Sequence, residues 1–205
     1  MKVLIINGSP RKNGNTALAI SEMERVFAAE GIEVEIIQIG GMDIRGCTAC
    51  GGCRDSGTCV FDDVVNEVAV KLSGADGLVL ASPVYFASAN PTLIALLDRL
   101  FYSTHIDLSM KVGASVVCAR RGGCSAAFDE LNKFFTISNM PVASSQYWNS
   151  IHGRLEGEAE MDEEGRQTMR TLARNMTFLM KSIALGKEKF GLPEQEKPIA
   201  TNFIR

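Results

Sequence analysis

The sequence predicts an α/β fold: a doubly wound, five-stranded parallel sheet of strand order 2-1-3-4-5 with helices on both faces. Short apolar runs rich in Val, Ile and Leu recur between segments of helical periodicity, the pattern of βαβ units around a sheet buried on both sides. Crossovers between parallel strands are right-handed, so the intervening helices must cover both faces. With 205 residues, 46% of them hydrophobic, the chain can bury one sizeable core and fits one domain better than two.

The strands are read at Lys2 to Ile6, Glu33 to Ile39, Gly77 to Ala81 and Val112 to Ala119, with a weaker fifth near Pro141 to Ser145. Between the first two, Ile20, Met23 and Phe27 share one helical face and Gly31 ends the helix. Asp62 or Asp63 caps the next helix, whose Val65, Val68 and Leu72 follow the same spacing. Pro91 suits the first turn of a helix with Leu93, Ile94, Leu96, Leu97, Leu100 and Phe101 on nearly every side, which is therefore buried or a subunit contact. Phe128, Leu131 and Phe135 mark a fourth helix, and Met169, Leu172, Met176, Leu179 and Ile183 mark a long fifth. The domain is expected to span 1–185, with 186–205 an extended tail.

A formal net charge of -3 with scattered Lys and Arg leaves no basic stripe, so nucleic acid is not an expected partner. The opening Met1-Lys2, the apolar run Val3 to Ile6 and Asn7-Gly8-Ser9-Pro10 read as strand and turn, not as a signal peptide. No run approaches the ~20 apolar residues of a membrane span. The expected location is the cytoplasm, where six cysteines point to metal, redox or buried thiols before disulfides.

In this architecture ligands sit outside the carboxyl ends of the strands. The first such loop, Asn7 to Thr16, leads into a helix amino terminus, where free N–H groups and the helix dipole favour an anion. Ser9 and Thr16 add hydroxyls, Arg11 adds charge, and Gly8 and Gly14 permit close backbone approach. Together they can surround a phosphate dianion. A P-loop is excluded because Asn15 stands where its Lys belongs, and no G-x-G-x-x-G is present.

The segment Gly8-Ser9-Pro10-Arg11 followed by Asn15-Thr16 resembles the NADPH-dependent FMN reductase branch of the flavodoxin-like superfamily. The resemblance implies that Ser9, Arg11, Gly14, Asn15 and Thr16 hold the phosphate of FMN. It further implies that Pro83, Val84, Tyr85 and Phe86 run along the isoalloxazine ring, with the N–H groups of Val84 to Phe86 at its polar edge and the two aromatics offering apolar surface. Arg120, Gly122 and Gly123 align with a Gly-rich loop bordering the flavin or nicotinamide. Arg120 and Arg121 can attract the phosphates of NAD(P)H, or form a solvated surface pair. The stretch Tyr147-Trp148-Asn149 and Ile151-His152-Gly153 resembles one near the dimer contact and flavin of bacterial relatives. For Asp98-Arg99, which recurs in relatives, a structural ion pair is expected.

Cys47, Cys50, Cys53 and Cys59 form C-x2-C-x2-C-x5-C, close spacing typical of iron–sulfur ligation. The pattern resembles that of iron–sulfur flavoproteins, which carry a 4Fe-4S cluster in this loop. It departs from ferredoxins in its longer last spacing and in Val60 after Cys59, and the alternative is a thiol-rich loop near the flavin or a dimer interface. Zinc is less favoured, since its sites prefer two separated Cys pairs. Cys118, in a strand, is expected to be inert.

The family implies hydride transfer from NAD(P)H to FMN and then to a small-molecule or protein acceptor, in a homodimer or higher oligomer, with no catalytic side chain. His152 is not expected to act as a base. The alternative is an iron–sulfur or flavodoxin-type carrier of single electrons between proteins.

Overall fold

A computed structural model describes residues 1–201 and 203. Five strands form one all-parallel sheet: β1 (Lys2–Asn7), β2 (Glu33–Gln38), β3 (Gly77–Pro83), β4 (Val112–Ala119) and β5 (Ser150–His152), in the order β2-β1-β3-β4-β5. Val3 to Ile6 of β1 and Leu78 to Ala81 of β3 are fully buried, because helices shield both faces and leave no solvent side for polar alternation.

The helices are α1 (Asn15–Ala29), α2 (Cys53–Ser56), α3 (Val64–Ser73), α4 (Pro91–Ser103), α5 (Cys124–Ile137) and α6 (Glu163–Phe190), with a 3-10 turn at Glu158–Met161. Ile20, Met23 and Phe27 of α1 pack with Met169, Leu172 and Met176 of α6 on one face. Val65, Val68 and Leu72 of α3, Leu93 to Leu100 of α4 and Leu131 and Phe135 of α5 cover the other. Each such side chain contributes roughly 1.5–3 kcal/mol by leaving water. The expected faces are those observed. Gly31, at φ 71°, turns the chain out of α1 as its carbonyl-end pattern requires. Of the two candidate caps for α3 it is Asp63 that accepts the Val65 N–H.

Two expectations change. The fifth strand is Ser150–His152, paired with Val117 to Ala119, while Val142 makes only an isolated bridge to Gly113. Pro141 lacks an N–H, and the chain leaves β4 there before rejoining it nearer its carboxyl end. A three-residue strand with one buried side chain, Ile151, has too little pattern to announce itself. At the other end, α6 runs on to Phe190, past the expected boundary at 185. Its buried stripe stops at Met180, so the apolar signal ends before the helix does. Residues 191–201 and 203 have no regular structure, and 202, 204 and 205 of the expected tail lie outside the described residues. No helix of the described residues is long and apolar enough to cross a membrane.

Candidate functional site

At the carboxyl end of β1 the chain turns through Gly8 to Gly14 and enters α1. The Gly8 N–H donates to the Ala81 carbonyl at 2.8 Å, and the Ser9 N–H donates to Asn7 Oδ1 at 3.0 Å. Gln38, at the end of β2, accepts from the Asn7 amide at 2.7 Å and donates to the Ser9 carbonyl, bracing the loop from the next strand. Three of the longer helices have side-chain caps, Asp63 on α3, Asn90 on α4 and Asp162 on α6, but Gly14 gives α1 none. The first-turn N–H groups of α1 are thus left for an external acceptor.

These N–H groups open into a cleft of about 180 Å³. One wall, from the β1–α1 loop, carries Ser9, Arg11, Gly14, Asn15 and Thr16, and the other carries Pro83, Val84, Tyr85 and Arg120. Nine of the twelve expected cofactor residues therefore converge. Gly122 and Gly123 do not line it; Gly123, at φ 93°, starts α5 and packs so closely on Ala87 that a Cβ would lie 2.9 Å from its Cα. Phe86 stands fully exposed at the tip of a tight turn.

That turn refines the ring-side reading. The Val84 N–H donates to the Cys118 carbonyl at 2.8 Å, and Tyr85 and Ser88 exchange hydrogen bonds of 2.9 and 3.0 Å. The N–H groups of Val84 and Tyr85 are therefore engaged within the protein. Phe86 and Ala87 occupy left-handed backbone at φ 51° and 63°, a conformation non-glycine residues rarely hold without support. Glu130 on α5 supplies it, accepting from Ala89 N at 2.7 Å and from Ser88 Oγ at 2.8 Å. Asn15 is likewise reassigned in part: its amide donates to the Leu155 carbonyl at 2.8 Å and accepts from Ala159 N at 3.2 Å, so its side chain ties down the loop after β5. Gly153 and Arg154 of that loop complete the cleft, and Arg11 Nη1 donates to the Arg154 carbonyl at 3.2 Å. Gly153 belongs to the Ile151-His152-Gly153 stretch expected near the flavin, whereas Gln38, Glu130 and Arg154 carry no motif that sequence reading could isolate.

Cys118 lies on the cleft floor, its thiol pushed up to about 12 by burial. His152 Nδ1 is 3.4 Å from Asp162 Oδ2, and its Nε2 is 3.8 Å from Cys124 Sγ.

The four clustered cysteines line a second, smaller cavity together with Arg99, Phe61 and Tyr102. Cys53 is buried in α2, Cys59 is half-buried, and Cys47 and Cys50 are exposed. Among the described residues no three His, Cys, Asp or Glu side chains are grouped as a single metal ion requires. The ion pair expected of Asp98-Arg99 is made by Arg99 with Asp63 instead, at 2.6 Å.

Residues 1–154 match the family model of the NADPH-dependent FMN reductases. The chain belongs to that family. It is accordingly a flavodoxin-like flavin-dependent oxidoreductase. It is 34% identical to an iron–sulfur flavoprotein of Methanocaldococcus jannaschii over 89% of this chain and 99% of that one. It is also 34% identical to an iron–sulfur flavoprotein of Methanosarcina thermophila, over 92% and 100% of the two chains. Among solved structures, RosB with the bound intermediate 8-demethyl-8-formylriboflavin-5'-phosphate superposes with a TM-score of 0.72 at 17% identity, covering 100% of this chain and 94% of its own.

Proposed function

We propose that this family member is an iron–sulfur flavoprotein, holding FMN in the β1–α1 cleft and a 4Fe-4S cluster among Cys47, Cys50, Cys53 and Cys59. The observation that carries the reading is that all four cysteines of the compact motif border one cavity. A four-iron cage takes one thiolate per iron at separate corners, so its ligands must surround a space rather than meet at a point. The names of the relatives agree with it.

For FMN the fit rests on the uncapped start of α1 and the buried Ser9 and Thr16 beside it. First-turn N–H groups and two hydroxyls would donate to the phosphate, and Arg11 would balance its charge. The enclosed volume is below the ~300–1,000 Å³ of a typical ligand pocket, so these walls suit the phosphate and ribityl end. Pro83 to Phe86 would flank the ring at the open rim, where Tyr85 and Phe86 are already exposed. Glu130 holds that turn in place. When bound, FMN supplies electron chemistry that side chains cannot, in one- or two-electron steps.

NAD(P)H is the electron donor in this reading, as the family description and the exposed Arg120 and Arg121 beside the cleft favour. The acceptor is a small molecule or a second protein. Exposed Tyr147 and Trp148 add an aromatic surface suited to a second copy of the chain. The test is the anaerobic spectrum of purified protein with FMN, iron and sulfide assayed on the same sample. About four irons per chain with FMN is expected, and yellow protein without iron would remove the cluster. Bleaching by NAD(P)H under the same conditions is expected, and its absence would leave a single-electron carrier.

A further inference from the structure

Arg99 is the largest fully buried side chain among the described residues, 1% exposed, and it lies in α4 with its guanidinium beside the cysteine cavity. Asp63 answers its charge with a two-oxygen contact, Nη1 to Oδ2 at 2.6 Å and Nη2 to Oδ1 at 3.0 Å. The ion pair does not use up the guanidinium. Nε and Nη2 also donate to Cys59 Sγ, at 3.3 and 3.2 Å, and the remaining contacts go to the carbonyls of Phe61 and Arg45.

A neutral thiol is a weak acceptor. With Asp63 answering the charge, the two donors spent on one sulfur meet a strong acceptor when that sulfur is a thiolate bound to metal. The same residue is fixed through its backbone: Cys59 N donates to Asn66 Oδ1 at 2.9 Å, and Asn66 Nδ2 donates to the Cys59 carbonyl at 3.0 Å. Of the four cysteines, Cys59 is the one whose sulfur meets a charged side chain among the described residues.

We infer that Cys59 is the pre-set ligand of the cluster site and that Arg99 is its positioning residue, raising the cluster's reduction potential through two N–H donors on the Cys59 sulfur. The inference rests on the cluster reading above. Reduction adds one electron and forms or breaks no bond, so the added negative charge must be met by groups already in place. Donors and a positive charge on a ligating sulfur favour the reduced state over the oxidised one. Asp63 fixes the plane of the guanidinium and hence the aim of both N–H groups.

The experiment is an EPR-monitored redox titration of the full chain, purified and reconstituted anaerobically with iron and sulfide, as wild type, R99K and R99Q. The FMN potential in the same titration serves as an internal reference. Lys keeps the charge and loses the paired donors, while Gln loses the charge. Both variants are expected to lower the cluster midpoint, Gln more than Lys, leaving FMN unmoved. A tenfold loss of reduced over oxidised cluster at fixed potential, the change expected of Gln, is about 59 mV for one electron. Should Gln fail to fold, the Lys variant decides. An unshifted cluster midpoint in a variant with wild-type iron content overturns the role of Arg99. Wild-type protein that binds FMN but takes up no iron and sulfide overturns the cluster reading and this inference with it.

Discussion

Two loops at the carboxyl end of the sheet differ in how they are built. The loop from Asn7 to Thr16 is pinned by backbone hydrogen bonds, braced by Gln38 and largely buried at Ser9, Asn15 and Thr16. The loop from Gly46 to Val60 is mostly exposed, with one four-residue helix, and its firmest anchor is Cys59 between Asn66 and Arg99. The first is a site formed before its ligand arrives. On the proposed cluster reading, the second would have one fixed ligand and three on a segment that binding would order.

A glycine-to-alanine substitution packed against the first loop and one within the second separate them most widely. A Cβ at Gly40 would fall within the backbone of Gly8 and Ser9, which cannot rotate aside. Gly40→Ala is expected to destabilise by about 3 kcal/mol and to abolish FMN retention, measured by urea unfolding and by flavin content after desalting. At Gly52 the added Cβ would crowd Cγ1 of exposed Val60, a side-chain atom that can turn aside, and otherwise make only ordinary contacts with Val60 Cβ and Cys50 Sγ. Gly52→Ala is expected to stay within about 0.5 kcal/mol of wild type. Equal effects would erase the contrast.

Behind the pre-formed loop, α1 is tied to α6 through Glu22, which accepts from Arg166 Nε at 2.9 Å and Arg170 Nη1 at 2.8 Å. Burial pushes this carboxyl up, but the two guanidinium hydrogen bonds win and hold it below its ordinary 4.5. Its folded-state value is lowered, so its stabilisation is present above pH 4.5 and is lost as pH falls through the folded value. Cutting a buried pair costs roughly 3–5 kcal/mol. Because both arginines are a third exposed and can turn to water, Glu22→Gln is expected to cost about 1–3 kcal/mol at neutral pH. The gap between variant and wild type in urea midpoints should close on acidification from above 4.5 through the lowered folded-state value. A gap independent of pH would mean that packing, not charge, joins the two helices.

Asn15→Ala offers a finer cut within the cleft. It removes two hydrogen bonds that fasten the loop after β5, and leaves the Ala159 N–H without its acceptor. A cost of about 1–3 kcal/mol is expected, with weaker FMN binding read by fluorescence titration. Unchanged affinity would show that the loop's position does not matter to the ligand.

The legibility of the molecule follows the same division. Strands β1, β3 and β4 were readable because both their faces are buried and their runs mainly apolar, the edge strand β2 from its apolar Val34, Ile36 and Ile37 although only Ile37 is buried, and the β1–α1 loop because its glycines, hydroxyls and helix start are contiguous in sequence. The strand β5 escaped because its pairing comes from a distant segment, with one buried residue as its signature. Cys47 to Cys59 could be read as a ligand set, but not their shared cavity, which depends on α4 bringing Arg99 across from 40 residues away. Glu130 and Gln38 are ordinary surface-type residues in sequence. Only the fold reveals what they hold.

The gentlest probe of the comparison leaves the sequence untouched and asks which thiols react. Burial pushes Cys118 up to about 12 against an ordinary 9.0, roughly a thousandfold less thiolate at neutral pH, and the surrounding cleft floor also denies access. Cys47 and Cys50 are exposed on the adaptable loop. In iron-free protein, an alkylating reagent read by peptide mass spectrometry should modify Cys47 and Cys50 first and reach Cys118 only on unfolding. With the cluster assembled, the first two should be protected while Cys118 is unchanged, because the ligand orders one loop and finds the other already set. Labelling of Cys118 at the rate of Cys47 would show that the cleft floor opens as readily as the cysteine loop, and the distinction between a formed and an inducible site would fail.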